Sequence, residues 1–467
     1  MENEIDFSVF IQEPIRSKST TEQEALALAI GLNPQLKNKF KIKQLKEAGN
    51  SQDLIIKRAS LIGLGFSAHQ DPNGGIEQYK ILKSFLNDPL TTTRMTASIA
   101  LGMSAFFSKN RKFKKKCYNE FRKKIKKADL VVKYGYALGL GLLAKYQETQ
   151  KGSLAAILEA YNPVEMESPD SYLIGLTLSA INNGRTEEVF DFIMETVIPA
   201  LSNKESKRIA VICNAFLLPL IPDPSIRMKK LEDMIRKEIE FHSKFGTDSA
   251  VVLTFFSLQD EKQKENFFLR LIGLKDLDSD YNQIFSILKE NKKAVDILRS
   301  LLGCNTLDIK AAGITASYFL ESEEFIAELG VVIKEVLQQR PSGYFDRFLV
   351  LLRTFSYILM SKDYSHVKDL ESFFHSNDQR IKRFAGLSYS CLKAIQQEFQ
   401  DVYYRLRNEL DENIRWGLLI GVSLYEYIGH NPLDDELILG LLLLCLGFID
   451  ISTLLLISQA MVSKFYH

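Results

Sequence analysis

Histidines are the first residues to consider for metal binding or proton transfer, because imidazole can do both near neutral pH. The chain contains six of them: His69, His242, His366, His375, His430 and His467. None is followed by Glu, so neither paired His-Glu ligands nor an HExxH zinc helix is present. His366 and His375 are the closest pair, with Asp369 and Glu371 between them, but their spacing matches no zinc motif. We therefore favour solvated polar residues around a loop over a metal site.

Cysteines and glycine motifs also lack a catalytic arrangement. The five cysteines are widely spaced, with no CxxC pair, which excludes a disulfide framework and a zinc knuckle: Cys117, Cys213, Cys304, Cys391 and Cys445. Neither a phosphate-binding P-loop nor a GxSxG nucleophile motif occurs. The Gly-x-Gly triplets at 63–65 and 139–141 lack a third glycine and a preceding strand, so we interpret them as helix–helix contact points. We expect a protein that is not an enzyme and has no cofactor or metal.

The most distinctive segment is residues 109–127, in which 11 of 19 residues are Lys or Arg. Phe113, Cys117, Phe121 and Ile125 recur every four positions, which predicts a helix with one apolar seam and otherwise cationic faces. The lysines are either only solvated, or they form a binding surface for phosphate, anionic lipid or an acidic partner. The candidate partner-binding residues are Arg111, Lys112, Lys114, Lys115, Lys116, Arg122, Lys123, Lys124, Lys126 and Lys127.

An acidic protein is the partner that we expect for this basic helix. The formal net charge of +1 argues against a globally basic nucleic-acid-binding protein. Phe113 and Phe121 belong to the apolar seam, so they are not placed to stack on bases. The alternative is a helical scaffold that binds nucleic acid through the same helix. Trp416, beside Arg415, is the one tryptophan that could stack, although we favour a packing role for it.

The elements that position the basic helix follow from chain length and internal repetition. A chain of 467 residues exceeds the ~250–300 residues at which single cores stop growing, so domains or a repeat array are expected. Four similar Gly/Ala/Leu segments centre on Gly63, Gly102, Gly139 and Gly175, at spacings of 39, 37 and 36 residues. This period fits two helices and two turns per unit. No long alternation of polar and apolar residues indicates a sheet.

These patterns predict an all-α fold, a right-handed α-solenoid of helical hairpin repeats. We divide the chain into four segments: an N-terminal helical cap at 1–50, regular repeats at 51–222, an irregular helical middle at 223–305, and C-terminal repeats with an apolar terminal helix pair at 306–467. The prolines of PLIPDP at 219–224 mark the break after the regular repeats.

Two patterns in the repeats resemble known families. Two segments, Asp308-Ile309-Lys310 with Ala312, and Asp378-x-x-Ile381-Lys382 with Ala385, resemble HEAT repeats. The Gly-rich form at 59–65 and 135–141 is similar to the proteasome/cyclosome repeat of the large non-ATPase proteasome regulatory subunits and of the largest anaphase-promoting-complex subunit. This resemblance covers roughly residues 55–180. It implies a scaffold without catalytic residues that holds partner subunits and docks ubiquitin-like receptors.

Residues 437–457 are almost continuously apolar, interrupted by Asp450. A membrane tail anchor would place Asp450 near the bilayer centre at a cost of ~2.5–3.5 kcal/mol, whereas Asp is a favoured N-cap between two shorter helices. We favour a buried helix pair, whose outer face is a candidate for oligomerisation or partner binding. The first residues show no basic-then-apolar signal, and with the cysteine usage this leads us to expect a cytoplasmic protein.

Overall fold

The computed structural model describes residues 19–68, 71, 74–146, 152–162, 170–202, 204–241, 279–290, 294–306, 309–310, 313 and 364–430. Every regular element within these ranges is a helix, and none is a strand, which confirms the all-α prediction. The chain forms two compact units. The first unit takes its described residues from Met1–Gly184 and Leu370–Phe448, and the second from Arg185–Asp369. The division into four sequence segments stays a prediction.

The helices are numbered along the chain. The first unit begins with α1 (Thr20–Leu32), α2 (Asn38–Gly49), α3 (Leu54–Ser67), α4 (Ile76–Ser84), α5 (Thr91–Phe107), α6 (Arg111–Lys124), α7 (Leu130–Leu143), α8 (Ser153–Glu159) and α9 (Asp170–Asn183). The second unit contains α10 (Thr186–Phe192), α11 (Lys204–Leu217), α12 (Pro224–Phe241), α13 (Ser279–Glu290) and α14 (Ala294–Leu302). The first unit resumes with α15 (Gln379–Ile395), α16 (Phe399–Asn408) and α17 (Glu412–His430).

The first unit is built from helical hairpins. The first helices of the hairpins, α1, α3, α5, α7 and α9, pack side by side in chain order. Their sequences are apolar on most faces; in α7, for example, every residue from Tyr134 to Leu143 is buried. A helix that is apolar all round must be covered on all sides, so these helices form the core. The second helices, α2, α4, α6 and α8, are amphipathic and cover the core with one face each.

Glycines allow the first helices to approach one another closely. A Cβ atom added to Gly63 would lie 2.5 Å from the carbonyl oxygen of Ala27 on α1. One added to Gly102 would lie 2.8 Å from the Cα atom of Gly139 on α7. Any side chain at these positions would therefore push the helix backbones apart. The interpretation of the glycines as helix–helix contact points is confirmed.

The C-terminal helices α15, α16 and α17, which we call the C-terminal hairpin, pack against α1 through α17. Helix α15 packs on α17, and α17 packs on α1, so the first helices follow the spatial order α15, α17, α1, α3, α5, α7, α9. The Nδ2 atom of Asn33 donates to the Glu426 carboxylate over 2.7 Å. Arg383 pairs with Glu24 at 3.2 Å. Residues 379–430 therefore join the N-terminal hairpins in one core.

Ion pairs connect the beginnings of neighbouring first helices. Lys57 of α3 pairs with Asp88, just before α5, at 3.4 Å. Arg94 of α5 pairs in the same way with Asp129, whose side chain caps α7 by accepting from the Val132 N–H. The same relation recurs in the C-terminal hairpin, where Lys382 pairs with Asp411 at 2.5 Å. Where the pattern Asp-x-x-Ile-Lys occurs, at 53–57 and 378–382, the Asp caps its own helix and the Lys pairs with the Asp that precedes the next first helix.

An aromatic cluster joins the C-terminal ends of three first helices. It consists of Phe66 from α3, Phe106 and Phe107 from α5, and Tyr427 from α17. The ring centroid of Tyr427 lies 6.4 Å from that of Phe66 and 6.3 Å from that of Phe107. Phe66 and Phe107 are 5.6 Å apart. All four rings are buried, so the cluster is part of the core.

In the second unit, α10 continues directly into a π-helical turn at Ile193–Val197, which is followed by a short α-helical turn at Ile198–Ala200. Pro199 explains the turn, because proline has no N–H to continue the α-helical hydrogen bonds. The amide nitrogen of Ile198 donates instead to the carbonyl of Ile193, five residues earlier. Lys230 of α12 pairs with Asp191 and, at 3.7 Å, with Glu187. These contacts hold α12 against α10.

Candidate functional site

The candidate site is the basic helix α6. Its N-terminus is fixed by Asn110, whose side chain accepts a hydrogen bond from the Phe113 N–H over 3.1 Å. The predicted seam of Phe113, Cys117, Phe121 and Ile125 is buried, as expected. The Phe121 ring stacks on Tyr136 of α7 at 5.1 Å. The apolar side of α6 is therefore fully used in packing, and its opposite side faces solvent.

Three of the ten candidate cations make contacts within the fold. Lys124 pairs with Glu120 at 2.6 Å, and Lys126 pairs with Glu159. The Lys114 ammonium lies 3.7 Å from the centroid of the Tyr146 ring and is half-buried. Burial, together with the neighbouring charges of Lys145 and Arg111, lowers the pKa of Lys114 to about 8. These three residues are thus structural contacts of α6 as well as charges on it.

The other seven candidate cations are exposed and make no ion pair with any residue in the described part of the chain: Arg111, Lys112, Lys115, Lys116, Arg122, Lys123 and Lys127. Six lie on α6 and Lys127 lies in the turn directly after it. With 3.6 residues per turn they form two rows on the exposed side. One row holds Arg111, Lys115 and Arg122, and the other holds Lys112, Lys116, Lys123 and Lys127. We call these seven residues the cationic face of α6.

Glu120 is the one carboxylate in the sequence of α6, and it attaches α6 to α4. It accepts a hydrogen bond from the Tyr79 hydroxyl over 2.7 Å and pairs with Lys83 and Lys124 at 2.6 Å each. Burial opposes the charge of this carboxylate, but the hydrogen bonds from Lys124, Lys83 and Tyr79 outweigh burial and lower the pKa of Glu120 to about 2. The sequence analysis did not predict this contact. A single acidic residue inside a basic helix was the one signal that could have indicated it.

Replacing Glu120 with Gln is expected to lower the free energy of unfolding at neutral pH by about 1–2 kcal/mol, because the charged contacts to two lysines are lost. The loss is no larger because solvent partly screens these contacts. The folded-state pKa lies below the ordinary value of 4.5, so the carboxylate stabilises the fold above that pH and the effect is lost as the pH falls towards 2. The difference between the wild type and E120Q should therefore shrink between pH 4.5 and 2. Urea denaturation followed by circular dichroism measures it.

The control for this prediction is Glu47→Gln on α2, an exposed carboxylate with no ion pair among the described residues. E47Q should match the wild type at every pH. A stability difference for E120Q that is the same at pH 7 and pH 3 would contradict the role assigned to Glu120.

The other second helices together carry both charges. Helix α2 and the residue before it expose four lysines: Lys37, Lys39, Lys43 and Lys46. On α4, Lys80 is exposed, but so is Glu77. On α8, the exposed Glu159 pairs with Lys126. The density of unpaired cations is therefore greatest on α6.

Trp416 and the group between His366 and His375 are the alternative candidates from the sequence. Trp416 is buried with 1% of its surface exposed, and the Arg383 guanidinium lies 5.1 Å from its ring centroid, so its role is packing. No group of three or more His, Cys, Asp or Glu side chains in the described ranges could hold a metal ion. His375 and Glu371 are described, whereas the His366 and Asp369 side chains are not.

A shallow cleft lies between α1, α16 and α17. Its polar wall consists of Glu22 and Arg415, which pair with each other at 2.5 Å. The remaining wall is formed mainly by apolar side chains such as Leu406 and Leu419. The two charged groups of the cleft therefore neutralise each other.

No described helix has the length and apolar character needed to cross a bilayer. The predicted apolar pair at 437–457 lies outside the described residues, so the tail-anchor and oligomerisation interpretations stay predictions. No family model matches the chain, and no curated protein matches it.

Proposed function

We propose that the protein is a non-enzymatic scaffold, an α-solenoid of HEAT-like helical hairpins that binds an acidic protein partner through the cationic face of α6. The proposal extends the hairpin packing of the first unit to a continuous repeat array. Repeat arrays present long surfaces on which binding energy is distributed over many contacts. The similarity to proteasome/cyclosome repeats supports a role as a subunit of a larger assembly.

The observation that carries the proposal is the set of seven exposed cations without an ion pair in the described fold. Their positions are unfavourable for the helix itself. Arg111 and Lys115, like Lys112 and Lys116, are four residues apart, and like charges at that spacing destabilise a helix by about 0.2–0.5 kcal/mol per pair. The apolar seam already anchors α6, so these charges are not needed for packing. An acidic partner would remove the repulsion and gain the attraction.

The structure also identifies the substitutions that test the proposal. Reversing Lys114 or Lys124 would disturb the Tyr146 and Glu120 contacts, so a loss of binding could not be separated from a loss of structure. Lys112, Lys115, Lys116 and Lys123 make no such contact. The test variant therefore carries Lys→Glu at these four positions. The matched control carries Lys→Glu at Lys37, Lys39, Lys43 and Lys46, the same change of charge on and beside α2.

Both variants are expected to keep the helical content of the wild type by circular dichroism, because all eight lysines are exposed. In affinity capture from the native cell with quantitative mass spectrometry, at least one protein should fall about tenfold with the α6 variant, a change of about 1.4 kcal/mol, and remain with the α2 control. Identical partner profiles for the wild type and the α6 variant would refute the proposal.

Nucleic-acid binding through the same helix is tested in parallel. A gel shift with duplex DNA across a salt series should show no complex at low salt for the wild type if the partner is a protein. A complex that the α6 variant loses and the α2 control keeps would replace the proposed function by nucleic-acid binding.

A further inference from the structure

The cationic face of α6 has a composition that restricts the kind of partner it can bind. Five of its seven residues are Lys and two are Arg. The aromatic residues of α6, Phe113, Tyr118 and Phe121, are all buried. Interfaces between folded proteins are enriched in aromatic residues and Arg at their centres and depleted in Lys. The face therefore lacks the anchors of a folded–folded interface and offers mobile point charges instead.

The dimensions of the face correspond to a short extended chain. From Arg111 to Lys127 the cations span about 20–25 Å, because a helix rises 1.5 Å per residue. An extended peptide rises about 3.3 Å per residue, so about seven or eight residues cover this length. Carboxylates on alternate residues of such a peptide are about 7 Å apart. Arg111 and Lys115, like Lys112 and Lys116, are four residues and therefore about 6 Å apart along the helix axis. The difference from about 7 Å is within the reach of flexible Lys side chains.

The surroundings of the face favour a narrow polyanion over a broad one. An α-helix with its side chains is about 10–12 Å across, and neighbouring helices are about 8–10 Å apart. The two backbones of duplex DNA lie on either side of a major groove about 12 Å wide, so a duplex on α6 would extend over α4 and α8. Helix α8 exposes Glu159, which Lys126 neutralises, and α4 exposes Glu77, which has no ion pair among the described residues and would repel phosphates. A single extended chain avoids both.

Resting on the proposed function, we infer that the cationic face of α6 binds a flexible, extended segment of about seven or eight residues rich in Asp and Glu, supplied by the partner protein. The carboxylates of the segment pair with the two rows of cations, and Glu120 does not repel them because Lys83 and Lys124 neutralise it. A disordered segment suits such a surface, because Asp/Glu-rich chains remain unfolded until they bind.

The test uses the purified full-length chain and fluorescein-labelled peptides of alternating Asp and Gly or Glu and Ser, with 4, 8 and 16 residues. Fluorescence anisotropy at low salt is expected to show binding that weakens as salt screens the charges. The 8-residue peptides should bind about tenfold more tightly than the 4-residue ones, and the 16-residue ones should gain only about twofold more, because the additional residues extend beyond α6. The α6 variant should lose about tenfold in affinity and the α2 control less than twofold.

An affinity that keeps rising steeply from 8 to 16 residues, or an equal loss in the α2 control, would overturn the inference, because the binding surface would then extend past α6. Tighter α6-dependent binding of duplex DNA, or of phosphatidylserine vesicles, than of the peptides would overturn it as well. If the α6 variant loses its cellular partner but no peptide binds the wild type, the proposed function holds and this inference is wrong. If neither depends on α6, both are wrong.

Discussion

Replacing Tyr427 with Ala is expected to destabilise the first unit by about 3–5 kcal/mol, the usual cost of deleting a buried aromatic ring. Tyr427 is fully buried, and its ring contacts Phe66 of α3 and Phe107 of α5. The substitution removes the ring that connects the C-terminal hairpin to the N-terminal ones. Hydrogen–deuterium exchange with mass spectrometry should show faster exchange in α1, α3, α5 and α17 and unchanged exchange in α10 and α12.

The control for this prediction is a double-mutant cycle. Tyr427→Ala and Phe66→Ala should couple by about 0.5–1.5 kcal/mol, as expected for rings in edge contact. Tyr427→Ala and Tyr172→Ala should be additive, because Tyr172 contacts Tyr134 and Tyr161 at the other end of the row of first helices. Additive behaviour of the Tyr427–Phe66 pair would mean that α17 does not pack on the N-terminal hairpins.

Local sequence patterns predicted the features that depend on local chemistry. The four-residue spacing of Phe113, Cys117, Phe121 and Ile125 identified the buried side of α6, because residues at that spacing share one face of a helix. The recurrence of glycine near Gly63 and Gly139 identified close helix contacts, because only glycine permits such an approach. In both cases the residue type has one dominant physical consequence, and tertiary context did not override it.

The packing of α17 on α1 could not be predicted in this way. Asn33 and Glu426, which hydrogen-bond across this contact, are 393 residues apart in the sequence. The ion pair between Arg383 and Glu24 joins residues that look like ordinary surface charges when each is read in its own helix. Long-range contacts of this kind leave no periodic signal, because either partner alone is satisfied by water.

The same limit applies to the candidate site. The sequence placed Lys114 and Lys124 with the other cations of α6, because charge and spacing were the only information available. The structure shows that Lys114 lies against the Tyr146 ring and that Lys124 pairs with Glu120. A patch of like charges therefore contains two populations, one that stabilises the fold and one that is free to bind. Only side-chain contacts separate them, and that separation determines which substitutions test function.

The second large effect is expected at the glycine contacts between first helices. A Cβ atom added to Gly175 of α9 would lie 2.2 Å from the carbonyl oxygen of Ala137 and 2.3 Å from its carbonyl carbon. Both atoms belong to the backbone of α7, so relief requires the two helices to move apart. Overpacking of this kind costs about 1–3 kcal/mol or more, which exceeds the gain of about 1 kcal/mol from replacing Gly by Ala in a helix. We therefore expect Gly175→Ala to destabilise the first unit by about 2 kcal/mol, and Gly175→Val by more.

Gly65→Ala is the matched control, because Gly65 is also a buried glycine in a first helix but its added Cβ would lie 3.1 Å from the nearest atom, the carbonyl oxygen of Ala100. At that distance a small adjustment of the neighbour is enough, and the gain in helix propensity offsets it. Thermal unfolding monitored by circular dichroism should therefore show a clear decrease in Tm for Gly175→Ala and a shift of only about 2 °C or less for Gly65→Ala. Equal changes in Tm for the two variants would mean that backbone contact at the glycines does not set the distance between the first helices. The spacing of the second helices, including α6, would then not depend on the glycines either.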